Sequence, residues 1–105
     1  MLYKTNLKLK NSWNYKGKDW WDWEAFLDDQ GSGELSNVEY VEYILHPTFP
    51  EPVRKIRDKK NGFRLKTGGW GVFSLKAFVH TKDGKKYKLE HFLTLQQKPE
   101  HGETE

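Results

Sequence analysis

The chain has 105 residues, of which 35% are hydrophobic and 31% charged, with 18 Lys+Arg against 15 Asp+Glu for a formal charge of +3. That length suits one domain, and no run of 18 apolar residues is present to span a membrane. With no Cys, disulfides, thiol catalysis and thiolate metal sites are excluded.

A mean hydropathy of −0.95 leans towards disorder. Five Trp, five Tyr and six Phe reverse that lean, because each ring buries roughly 150–250 Å². A small aromatic-cored domain is expected over residues 1–97, followed by a disordered polar tail over 98–105, which has no large apolar side chain. The first residues lack the apolar stretch of a signal peptide. The expected setting is therefore cytoplasmic, or nuclear in a eukaryote.

In chain order, residues 2–9 read as a first strand. Trp21, Trp23, Ala25 and Leu27 then alternate with Trp20, Asp22, Glu24 and Phe26, the period of a strand with one buried face. The cluster Asp28-Asp29-Gln30-Gly31-Ser32-Gly33 is a turn. Val41, Tyr43 and Leu45 share one face of the next element, with Val38, Tyr40, Ile44 and His46 on the other. β-Branched and aromatic content favours a strand there over a helix, and His46-Pro47 ends it.

Three of the four prolines fall in residues 47–52, so this segment is a stiff loop. The second loop, Thr67-Gly68-Gly69-Trp70-Gly71, sets a large ring among glycines that permit unusual backbone conformations. Two basic clusters, Arg54 to Lys60 and Lys82 to Lys88, read as solvated loops and a Lys-protected edge strand.

The last two strands can be registered against each other. Phe73, Leu75, Ala77 and Val79 form one apolar set, and Tyr87, Leu89, Leu93 and Leu95 another. Only a three-residue loop, Lys82-Asp83-Gly84 with Gly84 left-handed, puts both sets on one side by pairing residue 79 with 87. The same register turns His91 inwards and His80 outwards. The fold class is all-β, an immunoglobulin-like β-sandwich of two antiparallel sheets with about eight strands.

Catalytic patterns are missing: Ser32 sits in a turn composition, no phosphate-binding Gly-rich loop occurs, and the four His cannot gather on one metal. No enzyme, cofactor or metal is expected. The informative feature is the pair of loops. His46, Thr48 and Phe49 bring an imidazole, a hydroxyl and a ring; Gly69, Trp70 and Gly71 bring a second ring and open backbone N–H groups. Loops from one end of a sandwich converge and usually carry binding. Two facing rings hold something flat, and a secondary amide offers one donor and one acceptor. The competing reading leaves Phe49 and Trp70 as core residues that flank loops.

The run from Val38 to Arg54 containing His46-Pro47-Thr48-Phe49, the spacing to Gly62-Phe63-Arg64-Leu65, and Gly69-Trp70-Gly71-Val72-Phe73 resemble the YEATS domain. Trp21-x-Trp23 and the compact length are most similar to its prokaryotic branch. The resemblance covers about residues 20–95 and implies a non-enzymatic module reading acetyl- or crotonyl-lysine. It implies that Phe49 and Trp70 are the walls, Thr48 takes the amide N–H, and the Trp70 backbone N–H, presented by Gly69 and Gly71, binds the acyl carbonyl. His46 then orients Thr48. A further aromatic could come from Tyr15 or Trp20, and a peptide-steering acid from Glu90. The implied partner is an acylated-lysine peptide or protein. A structural interaction domain without acyl binding is the alternative, and a single-stranded nucleic-acid binder ranks last.

Overall fold

A computed structural model of the protein describes residues 5–104. The strands are β1 (Lys8–Gly17), β2 (Trp20–Asp28), β3 (Val38–Ile44), β4 (Val53–Ile56), β5 (Leu65–Gly69), β6 (Ser74–Thr81), β7 (Lys86–Phe92) and β8 (His101–Glu103). One 3-10 turn, Glu34–Asn37, precedes β3. Two four-stranded antiparallel sheets, ordered β5-β2-β1-β8 and β4-β3-β6-β7, face each other as the expected sandwich.

The inward alternation of β2 holds: Trp21, Trp23, Ala25 and Leu27 are all buried. Phe26 on the opposite face is buried as well, since the Arg64 guanidinium lies 4.2 Å above its ring. The β6–β7 hairpin takes the three-residue register, with Val79 opposite Tyr87 and Gly84 at φ 85°. Thr81 N–H closes it by donating to Lys85 O at 2.9 Å. Val41 and Tyr43 of β3 and Leu45 just after it are buried as read, but Val38 is buried too. A bulge between Val38 and Tyr40 inserts one residue and turns Val38 to the core face. Tyr43 is fully buried and its hydroxyl donates to Phe63 O at 2.6 Å.

The first strand departs from the sequence reading. Residues 2–4 lie outside the described residues, and β1 starts at Lys8 and extends to Gly17. Its inward positions are Leu9, Asn11 and Trp13, so the apolar alternation is broken by an amide. Asn11 is nonetheless fully buried and satisfied. Its Oδ1 accepts from His91 Nε2 at 2.7 Å and from Thr94 N–H at 3.0 Å, and its Nδ2 donates to Thr94 O at 2.8 Å. This network ties β1 of one sheet to the end of β7 in the other.

The tail read as disordered from residue 98 instead carries β8. It needs no apolar side chains because its contribution is backbone pairing along β1, with Gly102 opposite Trp13. Thr104 N–H donates to Asn11 O at 2.9 Å, and Trp13 Nε1–H donates to Pro99 O at 3.1 Å. A Cβ at Gly102 would stand 2.5 Å from the Trp13 ring, so only glycine lets the strand lie this close. The two basic clusters fall at the edges of one sheet: Arg54 and Lys55 on β4, Lys86 and Lys88 on β7.

Candidate functional site

β3 delivers the chain to the Pro-rich loop at the end of the sandwich where β6 begins, since Ile44 pairs with Lys76. In the sheet opposite β3, β5 ends at Gly69 paired with Trp21 of β2, and residues 70–73 cross between the sheets to reach β6. The two loops therefore meet. They enclose a cavity of about 120 Å³ lined by His46, Thr48, Phe49, Gly69, Trp70, Gly71, Val72 and Phe73. All six residues singled out from the sequence line it. Tyr15, Trp20 and Glu90 do not: Tyr15 packs on Trp21 at 5.0 Å, Trp20 is exposed, and Glu90 pairs with Lys88 at 3.2 Å.

The first loop is held from both sides. Leu45 N–H donates to Pro52 O at 2.7 Å, and Arg54 clasps the carbonyls of Glu51 and Pro50 at 2.6 and 2.8 Å. Phe49 N–H donates to His46 O at 2.9 Å, which fixes the turn that presents Thr48. His46 Nδ1 lies 2.9 Å from Thr48 Oγ1 and accepts the Thr48 N–H at 3.2 Å. Because Nδ1 accepts there, the neutral ring carries its proton on Nε2, and the Thr48 hydroxyl donates to Nδ1. That leaves the hydroxyl lone pairs turned outwards as acceptors.

Phe49 is half-buried, with ring centroids 6.3 Å from Trp23 and 5.6 Å from Phe73. Trp70 is the opposite case, 73% exposed on the rim. The competing reading of both rings as core residues thus fails for Trp70. The glycines do not serve the purpose expected of them: none of Gly68, Gly69 and Gly71 has a positive φ. They leave room instead. A Cβ at Gly71 would meet nothing within 4 Å, so the cavity is uncapped on that side.

Two lining residues escaped the sequence reading, Val72 and Phe73. Phe73 fits the alternation of the following strand and reads as core. In the fold it precedes β6 and touches three rings, His46 (6.0 Å), Phe49 and Trp23 (5.9 Å). The spacing Trp70-x-x-Phe73 beyond a glycine pair is the signal that would have placed it on the loop. No charged residue lines the cavity, and among the described residues no three His, Asp or Glu side chains converge as a metal site needs.

The model of the prokaryotic YEATS domain matches residues 21–94, most of the chain and both loops. The chain belongs to the prokaryotic YEATS family. A curated relative, transcription initiation factor TFIID subunit 14 of Schizosaccharomyces pombe, is 34% identical over 97 residues, covering 90% of this chain. This YEATS chain spans only 39% of that relative's length. Among solved structures, it is similar to the Yaf9 YEATS domain bound to H3K27ac, with TM-score 0.74 and 22% identity over 99% of this chain and 84% of that one. It is similar also to the Yaf9 YEATS domain recognising an H3K122suc peptide, with TM-score 0.66 and 23% identity over 93% and 79% of the two chains. At such identities these likenesses show the fold. Among the described residues no helix is long and apolar enough to cross a membrane.

Proposed function

We propose that this YEATS domain is a non-enzymatic binding module that reads acylated lysine at the loop cavity. Thr48 Oγ1 accepts the amide N–H, the Trp70 backbone N–H donates to the acyl carbonyl, and the Phe49 and Trp70 rings flank the flat group. His46 positions Thr48 and does not itself need to touch the ligand. The observation that carries this reading is the Thr48 hydroxyl, held 2.9 Å from His46 Nδ1 with its acceptor side free, on the rim of an uncharged aromatic cavity. The structural neighbours bound to acylated histone peptides support it.

Size agrees. One water needs roughly 10–15 Å³ of such space, so a cavity of about 120 Å³ has room for a group of several heavy atoms such as an acetamide. A longer planar acyl group extends past Gly71 into open space. Each extra carbon that is covered contributes at most about 0.8 kcal/mol, with ring stacking adding roughly 0.5–1.5 kcal/mol. Crotonyl-lysine therefore binds several-fold to tens-fold more tightly than acetyl-lysine, with Kd on the order of tens of micromolar.

The test is fluorescence titration with unmodified, acetylated and crotonylated lysine peptides. Trp70→Ala abolishes binding with thermal stability within about 0.5 kcal/mol of wild type, as for other exposed positions. Absence of binding to any acyl peptide at millimolar concentration would leave only a scaffolding role.

A further inference from the structure

Three of the tryptophans are buried, and two of them satisfy their indole N–H on a carbonyl: Trp13 on Pro99 O at 3.1 Å and Trp21 on Gln96 O at 2.8 Å. Trp23 does not. It is 1% exposed, and its Nε1 has no acceptor among the described residues. A buried donor without a partner carries a desolvation cost, and such a group in a native fold calls for an explanation.

Its position supplies one. A Cβ built on Gly69 would stand 3.7 Å from Trp23 Nε1 and 3.6 Å from Phe49 Cζ. Gly69 and Phe49 both line the cavity. The indole N–H therefore lies just behind the floor, beside the gap that the missing Gly69 side chain leaves. Gly69 has no positive φ, so the backbone does not require glycine there.

Resting on the acyl-lysine reading, we infer that Trp23 Nε1–H is a specificity donor at the cavity floor, taking a neutral oxygen acceptor on the acyl chain beyond the amide carbonyl. A 3-hydroxyacyl group is the class that fits. Its extra oxygen lies two carbons from the carbonyl carbon, close to the amide end that Thr48 and Trp70 hold. A carboxylate is disfavoured, because one neutral donor in a cavity without Lys or Arg does not compensate a buried charge.

The experiment compares acetyl-, butyryl- and 3-hydroxybutyryl-lysine peptides on wild type, Gly69→Ala and Trp23→Phe. Wild type binds the 3-hydroxybutyryl peptide about 5–10-fold more tightly than butyryl, the size of one hydrogen bond to a buried donor. Trp23→Phe removes the N–H and loses that preference while still binding butyryl. Should Trp23→Phe fold poorly, Gly69→Ala serves alone: its methyl meets its neighbours at ordinary contact distance, fills the gap and lowers the preference. In ¹⁵N-labelled wild type, the Trp23 indole resonance moves downfield with the hydroxyacyl peptide and not with butyryl. If butyryl binds and the hydroxyl gives no preference, or the preference is equal in all three proteins, the donor role is overturned and acyl reading stands. If no acyl peptide binds, both fall together.

Discussion

Asn11 and Trp23 are both buried between the sheets, and both carry polar hydrogens into an apolar core. At Asn11 every part of the amide is answered, by His91, Thr94 and the backbone of Ser12, and the site holds β1 against the opposite sheet. At Trp23 the indole N–H is unanswered and lies beside Gly69, which lines the loop cavity. A satisfied buried network stabilises one arrangement, whereas an unsatisfied donor is a place where a ligand adds a partner that the protein lacks. The contrast separates a structural network from a binding site, and each prediction below acts on one and spares the other.

The largest effect is expected from Asn11→Leu. It strands the His91 Nε2–H, the Thr94 N–H and the Thr94 carbonyl without partners, and costs about 3 kcal/mol of stability by the usual penalty for buried unpaired groups. Urea unfolding measures it. Peptide affinity of the folded protein stays unchanged.

Thr48→Val has the opposite signature. Thr48 is exposed, so stability barely moves, but every acyl peptide loses about 1–3 kcal/mol of binding because its amide N–H is left unpaired. The loss is equal for acetyl and crotonyl, since the amide is common to both. Unequal losses would mean that Thr48 contacts the acyl chain instead.

The smallest effect is a pH dependence in the structural network. Burial lowers the pKa of His91 from its ordinary value of 6.5. The unfolded chain therefore takes up a proton at higher pH than the folded one, so stability falls as pH drops through about 6.5 and levels off below the folded value. Asp28, Glu34 and Asp83 are held below their ordinary values, first by hydrogen bonds from Lys10, Thr5 and Thr81. Their stabilisation is lost only in more acid solution, as pH falls below the carboxylate range. Thermal melts between pH 7.5 and 5 show the His91 slope, and His91→Gln flattens it.

Much of this fold was legible because the signals were local. The Trp alternation of β2 and the single hairpin register that puts two apolar sets on one side follow from side-chain period alone. β1 was not legible, because its central inward residue is Asn11, whose partners are 80 and 83 residues away. β8 was illegible for a different reason: its hold is backbone pairing and the flat approach of Gly102 to Trp13, neither of which leaves an apolar pattern. The bulge that buries Val38 likewise has no local signature. At the site, the two loop motifs marked themselves by composition. Phe73 and Trp23 did not, since each continues an apolar alternation and its second role depends on what packs across the sandwich.

The central claim, that the two loops form one acyl-lysine site, is tested most directly by amide chemical shifts of the labelled protein during titration with a crotonyl-lysine peptide. The prediction is that the largest changes fall in residues 46–49 and 69–73, led by the Trp70 N–H, while Asn11, His91 and Thr94 stay in place. Shifts centred on the outer faces of the sheets, or none at millimolar peptide, would contradict it.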